Sequence, residues 1–142
     1  MSTIALESHH AATARLRTFA YWGATGLTSF AFLAGGLADV SRAPAVMAAM
    51  SGLGYPSYFA VILGAWKVLG ALAIVAPRFP RLKEWAYAGM FFDLTGAAFS
   101  HAAAGDPAAK SIVPLVLLAL VATSWALRNP SSGRVVGALR AA

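Results

Sequence analysis

Few side chains in this chain can do chemistry, and most of those that can are set inside apolar sequence. Of 142 residues, five are acidic, three are histidine and none is cysteine. Without a thiol there are no disulfides, thiolate nucleophiles, cysteine zinc sites, iron–sulfur ligation or CxxC redox pair. His9 and His10 stand together in a polar N-terminal arm and are too sparse for a metal site, so no metal centre is expected. What remains is Lys67, Asp93, Ser100, His101 and Thr25 within apolar runs, with Asp39 and Asp106 at their edges.

Lys67 and Asp93 carry the argument. An ionised side chain at the centre of a bilayer costs roughly 2.5–3.5 kcal/mol on insertion scales, so each calls for a partner or a function. Lys67 lies ten residues before Pro77 and Asp93 nine after Glu84, which matches their depths if two antiparallel helices share the intervening loop. Gly89, Asp93, Gly96 and Ser100 follow steps of four, three and four and share one helix face, flanked by Thr95 and His101. The two glycines are expected to let a neighbouring helix approach closely. Gly64, Lys67 and Ala71 repeat the spacing on the preceding run, and Tyr21, Thr25 and Thr28 supply polar groups from the first. These residues predict a small polar chamber, with Lys67 paired to Asp93 and with His101, Asp106 and Asp39 toward its outer mouth. Trp66 is expected to pack against another helix. Four uses fit such a chamber. A buried ion pair can fix helix order and register. A donor, an acid and aromatic rings at one depth suit a carbonyl-bearing ring such as a quinone. An intramembrane acid can serve proton-coupled transport. His101 with Asp106 can do acid–base work in a self-sufficient enzyme. No catalytic residue is assigned.

The elements that position these residues follow from hydropathy. Hydrophobic types make up 59% of the chain and charged types 11%, against about 25% charged in soluble domains. Four apolar runs span Thr18 to Ala38, Tyr58 to Ala76, Trp85 to Ala104 and Ile112 to Leu127. About 20 helical residues cross a hydrocarbon core of roughly 30 Å. The fold class is therefore all-α, a transmembrane four-helix bundle over residues 18–128, between an arm (1–17) and a tail (129–142). The last run is short and needs Lys110 and Arg128 to snorkel from its ends. Trp22, Tyr58, Trp85, Tyr87 and Trp125 sit near the boundaries, where amphipathic rings favour the headgroup layer.

Charge sets the orientation. Arg15 and Arg17, then Arg78, Arg81 and Lys83, then Arg128, Arg134 and Arg140 lie on one side, against only Arg42 and Lys110 on the other. The basic side is cytoplasmic, so a multi-pass protein of the cell inner membrane is expected, with both termini inside. The basic residues form no single face, which argues against nucleic acid as a partner. The first run reads as a membrane span rather than a cleaved signal. Between Asp39 and Pro56, Pro44 can open a short helix bearing Val46, Met47, Met50 and Leu53, closed by Gly52 or Gly54. That helix is either a cover for the bundle mouth or a plain connector. The tail can bind anionic headgroups or stay unstructured.

Several stretches resemble the DoxX-like family of small membrane proteins. They are YWxxTxL at Tyr21 to Leu27, GGxxD at Gly35 to Asp39 and LGYPSYF at Leu53 to Phe59. The most specific are ILGAWKVLGALAIVAPRFPRLKEWAYAG at Ile62 to Gly89 and FFDLTGAAFSH at Phe91 to His101, followed by GD at Gly105 and Asp106 and SWALRNP at Ser124 to Pro130. The resemblance implies a four-helix membrane bundle. It also implies an accessory or quinone-linked role, since the family takes its name from a small subunit of a quinone-reducing thiosulfate oxidoreductase. Lys67, Asp93 and His101 match the family's polar positions. With no cysteine or haem ligand in the chain, no intrinsic cofactor is expected, and a partner subunit would supply the redox centre. Membrane lipid is the other expected partner.

Overall fold

The computed structural model describes residues 2–128, with side chains from Thr13 onward. The tail 129–142 and the His9–His10 pair's side chains lie outside the described residues. The fold is all-α. Its helices are α1 (Ser2–Val40), α2 (Pro44–Gly52), α3 (Ser57–Val75), α4 (Pro80–Ala103) and α5 (Ala108–Leu127), with no strand among the described residues.

Proline and glycine set the boundaries. Pro44 and Pro80 stand in the first turns of α2 and α4, where the missing N–H costs nothing. Gly54 and Gly105 take positive φ (77° and 71°) just after α2 and α4 and turn the chain toward Pro56 and Pro107, which precede α3 and α5. The short helix anticipated from Pro44 is therefore present. α1 is a continuous helix of 39 residues. It includes the arm, and it runs past Ala38 through Asp39. α5 has 20 residues rather than the 16 of the apolar run, because Pro107 starts the helix four residues early. Its length of about 30 Å then needs no snorkelling to match a bilayer core.

The four long helices form a ring in the order α1, α3, α4, α5, each packed against its two neighbours, and α2 leans on α3. One end of the ring carries α2 and the α4–α5 turn; it is called the mouth end. The other, the terminal end, carries the α3–α4 turn and Arg128. Phe32, Ala71, Ile74, Tyr87, Met90, Leu94 and Val121 form the central core. Phe19, Phe30, Trp66, Trp85, Phe92 and Phe99 face outward. Trp66 is 69% exposed, which corrects its expected place against another helix. Lys67 turns inward, and the adjacent residue is rotated about 100° from it. α3 and α5 are long and apolar enough to cross a membrane. In α1 and α4 the Thr, Ser, Gly and Asp residues lower the mean hydropathy below that of α3 and α5.

The tightest crossing is between α1 and α3, at Gly36 and Gly64. A Cβ on Gly64 would lie 2.6 Å from the Gly36 carbonyl oxygen and 2.7 Å from Asp39 Cβ. A Cβ on Gly36 would lie 2.8 Å from the Gly64 carbonyl oxygen. Gly89 and Gly96, where a close approach is expected from the sequence, have nothing within 4 Å of the same position.

Candidate functional site

The glycine crossing creates the first polar cluster. Asp39 is three residues beyond Gly36 and Lys67 three beyond Gly64, so each charge leaves its helix on the crossing face. Lys67 Nζ donates to Asp39 Oδ2 at 2.8 Å. Asp93 Oδ2, on α4, is 3.9 Å from the same ammonium. The first partner of Lys67 is therefore Asp39 rather than Asp93. The sequence puts Asp39 in the outer loop, but it stands in the last turn of α1 and is 5% exposed. The reason is backbone proximity, because two glycines bring α1 and α3 closer than α3 and α4 can come.

A second cluster closes the mouth end. His101 Nδ1 is 2.7 Å from Asp106 Oδ2, and Lys110 Nζ donates to Asp106 Oδ1 at 2.7 Å. The Lys110 hydrogen bond first, and the His101 bond next, hold the Asp106 carboxyl below the usual carboxylate range.

Between the clusters lies a cavity of about 360 Å³. Lys67, Asp93, His101 and Lys110 are the charged and polar residues of its lining, and Phe32, Leu94, Val113, Pro114 and Leu117 are among the apolar ones. Pro114, inside α5, has no N–H for the Lys110 carbonyl four residues back, which leaves that carbonyl without its helical partner. The arrangement offers an ammonium, an imidazole and a carboxylate to one guest while the apolar side chains receive its hydrocarbon part. Among the described residues no group of three or more histidine, cysteine or acidic side chains is placed to hold a metal.

Two anticipated residues are elsewhere. Ser100 does not line the cavity: its Oγ donates to the Gly96 carbonyl and receives Tyr55 Oη, both at 2.8 Å. It ties the loop after α2 to α4, and Tyr55 stacks on Phe59 with centroids 5.1 Å apart. Thr25 belongs to a separate network at the terminal end. Ser124 Oγ is 2.6 Å from Thr25 Oγ1 and 2.7 Å from Tyr87 Oη. Tyr87 is 4% exposed, so it is a buried hydrogen-bonding residue instead of an interface ring. The Arg128 guanidinium lies 5.8 Å from the Tyr87 ring centre and pairs with Glu84, which also receives Trp125 Nε1 at 3.0 Å. The Trp125 bond, then the Arg128 bond, hold the Glu84 carboxyl below its ordinary value.

Lys110 and Pro114 are the cavity residues that sequence reading missed. Lys110 reads as a snorkelling flank, and a proline inside an apolar run was the available sign of a modified wall. Comparison with protein families matches residues 23–124 to the profile described as the DoxX-like family. Neither the curated proteins nor the solved structures give a match.

Proposed function

From the premise that this chain belongs to the DoxX-like family, a membrane family, we propose that it is a four-pass protein whose mouth-end chamber holds a quinone-type headgroup. In this reading it is an accessory or quinone-associated subunit of a membrane redox system. The observation that carries the proposal is the mixed lining of one cavity, in which Lys67, His101 and Lys110 stand among the apolar side chains of Phe32, Leu94 and Leu117. Its 360 Å³ falls at the lower end of the roughly 300–1,000 Å³ range of small-molecule sites, enough for a ring with its tail leaving between helices. Lys67 and His101 would donate to the ring oxygens, and Asp93 would accept from a quinol hydroxyl. The chain's own residues bind and orient; electrons come from a partner subunit. The helices α1, α3, α4 and α5 cross the membrane, with the basic terminal end cytoplasmic by the positive-inside rule and α2 on the outer surface. The domain division follows: an arm over 1–17, a transmembrane unit over 18–128 and a tail over 129–142.

The test is retention and rebinding. Protein taken from native membrane in mild detergent should carry quinone, and the stripped protein in lipid discs should rebind a short-chain naphthoquinone at about one per chain. Lys67→Met and His101→Ala should each weaken rebinding by about tenfold, the value of one lost hydrogen bond. Binding that is absent from the wild type, or unchanged in both variants, defeats the proposal.

The close Lys67–Asp39 bond favours a second reading, in which the charges only fix helix packing. That reading expects a folded Lys67→Met/Asp39→Asn variant to keep full function in the cell.

A further inference from the structure

Two polar systems at different depths flank the hydrophobic centre of the bundle. At the terminal end Tyr87, Ser124 and Thr25 are joined by hydrogen bonds, and the Glu84–Arg128 pair lies beside the Tyr87 ring. In the mouth half is the chamber, with Asp93 on its wall. At the depth between Tyr87 and Asp93, α3, α4 and α5 contribute the buried Ala71, Met90 and Val121, none of which can carry a proton. α1 is different. After Thr25 it presents Thr28 and Ser29, then Phe32 at the chamber wall, all on one face. Thr28 is 1% and Ser29 8% exposed. Thr28 Oγ1 and Ser29 Oγ are both buried with no hydrogen-bond partner in the fold.

Buried hydroxyls almost always find a partner, and where the protein offers none a water molecule serves. Thr28 lies about 4.5 Å outward from Thr25, and Phe32 about 6 Å beyond Thr28, at 1.5 Å per residue. Two hydroxyls with bridging water would extend the bonded row from Thr25 toward Phe32 on the chamber wall.

We propose that α1 carries a proton route from the terminal face to the chamber, running through Tyr87, Ser124, Thr25, Thr28 and Ser29 to Asp93. It rests on the membrane-chamber reading above, but not on the identity of the guest. Each hydroxyl or water accepts a proton on a lone pair and releases its own proton on the far side, so no group along the row gains net charge. The proton ends on the Asp93 carboxylate and leaves by the same row or to a guest. The charged groups facing Asp93 are Lys67 from α3 and Asp39 from α1. His101 on α4 and Lys110 on α5 share its cavity, and Asp106 is bonded behind them. The hydrophobic centre keeps the route narrow, so a pair of substitutions can close it.

A membrane-permeant carbodiimide reports it, because a protonated carboxyl group gives its proton to the reagent's nitrogen and adds through oxygen to the reagent's central carbon. The full chain is placed in sealed vesicles with one orientation, verified through a single cysteine in an Arg81→Cys variant. With the mouth-side pH held constant, acidifying the terminal side should raise labelling at Asp93, read by mass spectrometry. The rise should approach tenfold per pH unit while the acid is mostly ionised. Thr28→Val/Ser29→Ala keeps shape but removes both hydroxyls, and should abolish this response. Thr28→Ser/Ser29→Thr keeps hydroxyls and should retain it, which separates the route from a packing defect. Wild-type labelling that ignores terminal-side pH overturns the proposal. So does an unchanged response in the Val/Ala variant, or a lost response in the Ser/Thr variant. Naphthoquinone binding measured on the same vesicles tests the chamber's guest independently, since neither Thr28 nor Ser29 lines the cavity.

Discussion

Gly64→Ala should damage this protein far more than the same change at Gly96. A Cβ at Gly64 would stand 2.6 Å from the Gly36 carbonyl oxygen and 2.8 Å from the Val40 nitrogen, where ordinary contact begins at 3.4 Å. The helices must part by about 0.8 Å, and the obstructing atoms are backbone, so no side chain can swing away. Overpacking of this kind costs about 1–3 kcal/mol. The same parting stretches the 2.8 Å bond from Lys67 to Asp39 toward 3.6 Å, beyond hydrogen-bond range, which adds about 1.5–3 kcal/mol for a charged bond. Better helix propensity returns about 1 kcal/mol. The net loss is about 1.5–5 kcal/mol. Gly96→Ala meets nothing within 4 Å, so it should be neutral or stabilise by up to about 1 kcal/mol. Unfolding in mixed micelles by added denaturing detergent measures both. Equal stability of the two variants, or a Gly64→Ala protein as stable as wild type, refutes the crossing as the organiser of the site.

The other predictions are briefer. A double-mutant cycle should give Lys67 a larger coupling to Asp39 than to Asp93, with single losses below the roughly 3–5 kcal/mol of a fully buried pair, because the Lys67 side chain is 23% exposed; equal couplings would contradict the 2.8 Å and 3.9 Å separations. Asp39→Asn should lower stability more than quinone-analogue binding, and Asp93→Asn the reverse, as read by unfolding and binding on the same preparations. The Asp106 carboxyl is depressed by Lys110 and then His101, so the folded state binds fewer protons than the unfolded state near that pKa. Its stabilisation is present above the ordinary carboxylate pKa and is lost as pH falls through the lower folded value; the difference in melting point between wild type and Asp106→Asn should therefore vanish in acid. Single-cysteine labels at Arg81 and at the N-terminus should react only from the cytoplasm, and a label at Ala104 only from outside; the reverse pattern would invert the proposed topology.

Much of this was legible in the sequence because hydropathy and punctuation are local. The prolines at 44, 77, 80 and 107 and the glycines at 54 and 105 mark turns without reference to the rest of the chain. The shared cavity of Lys67, Asp93 and His101 was also within reach, since depth follows from counting residues along antiparallel helices. What resists such counting is azimuth. The α1–α3 crossing depends on which face each glycine occupies relative to a partner more than twenty residues away. Gly36 and Gly64 have the same small-residue signature as Gly89 and Gly96, yet only the first pair meets a neighbour. Asp39 was misplaced for a related reason. An acid ending an apolar run looks like the start of a loop, and only a cation across the crossing makes another turn of helix tolerable. Thr25 and Tyr87 belong to a different depth from the chamber, which their spacing from Asp39 and Asp93 along α1 and α4 already contained.

A structural and a binding role for the buried charges are compatible on the count of partners. One ammonium stands beside two carboxylates. Asp39 takes the 2.8 Å bond, is the more enclosed of the two acids and does not line the cavity. Asp93 stands at 3.9 Å, beyond a direct hydrogen bond, and does line it. In lipid, helices gain little from hiding apolar side chains from one another, so close packing and polar contacts hold them together. The Asp39–Lys67 bond at a glycine crossing supplies that adhesion between α1 and α3. Having been fixed there, the ammonium also offsets the charge of Asp93 without occupying its oxygens. An acid held near a cation but left with free lone pairs is what a chamber needs if it is to accept a hydrogen bond from a guest. The same lysine can thus fasten the bundle through one acid and prepare the site through the other.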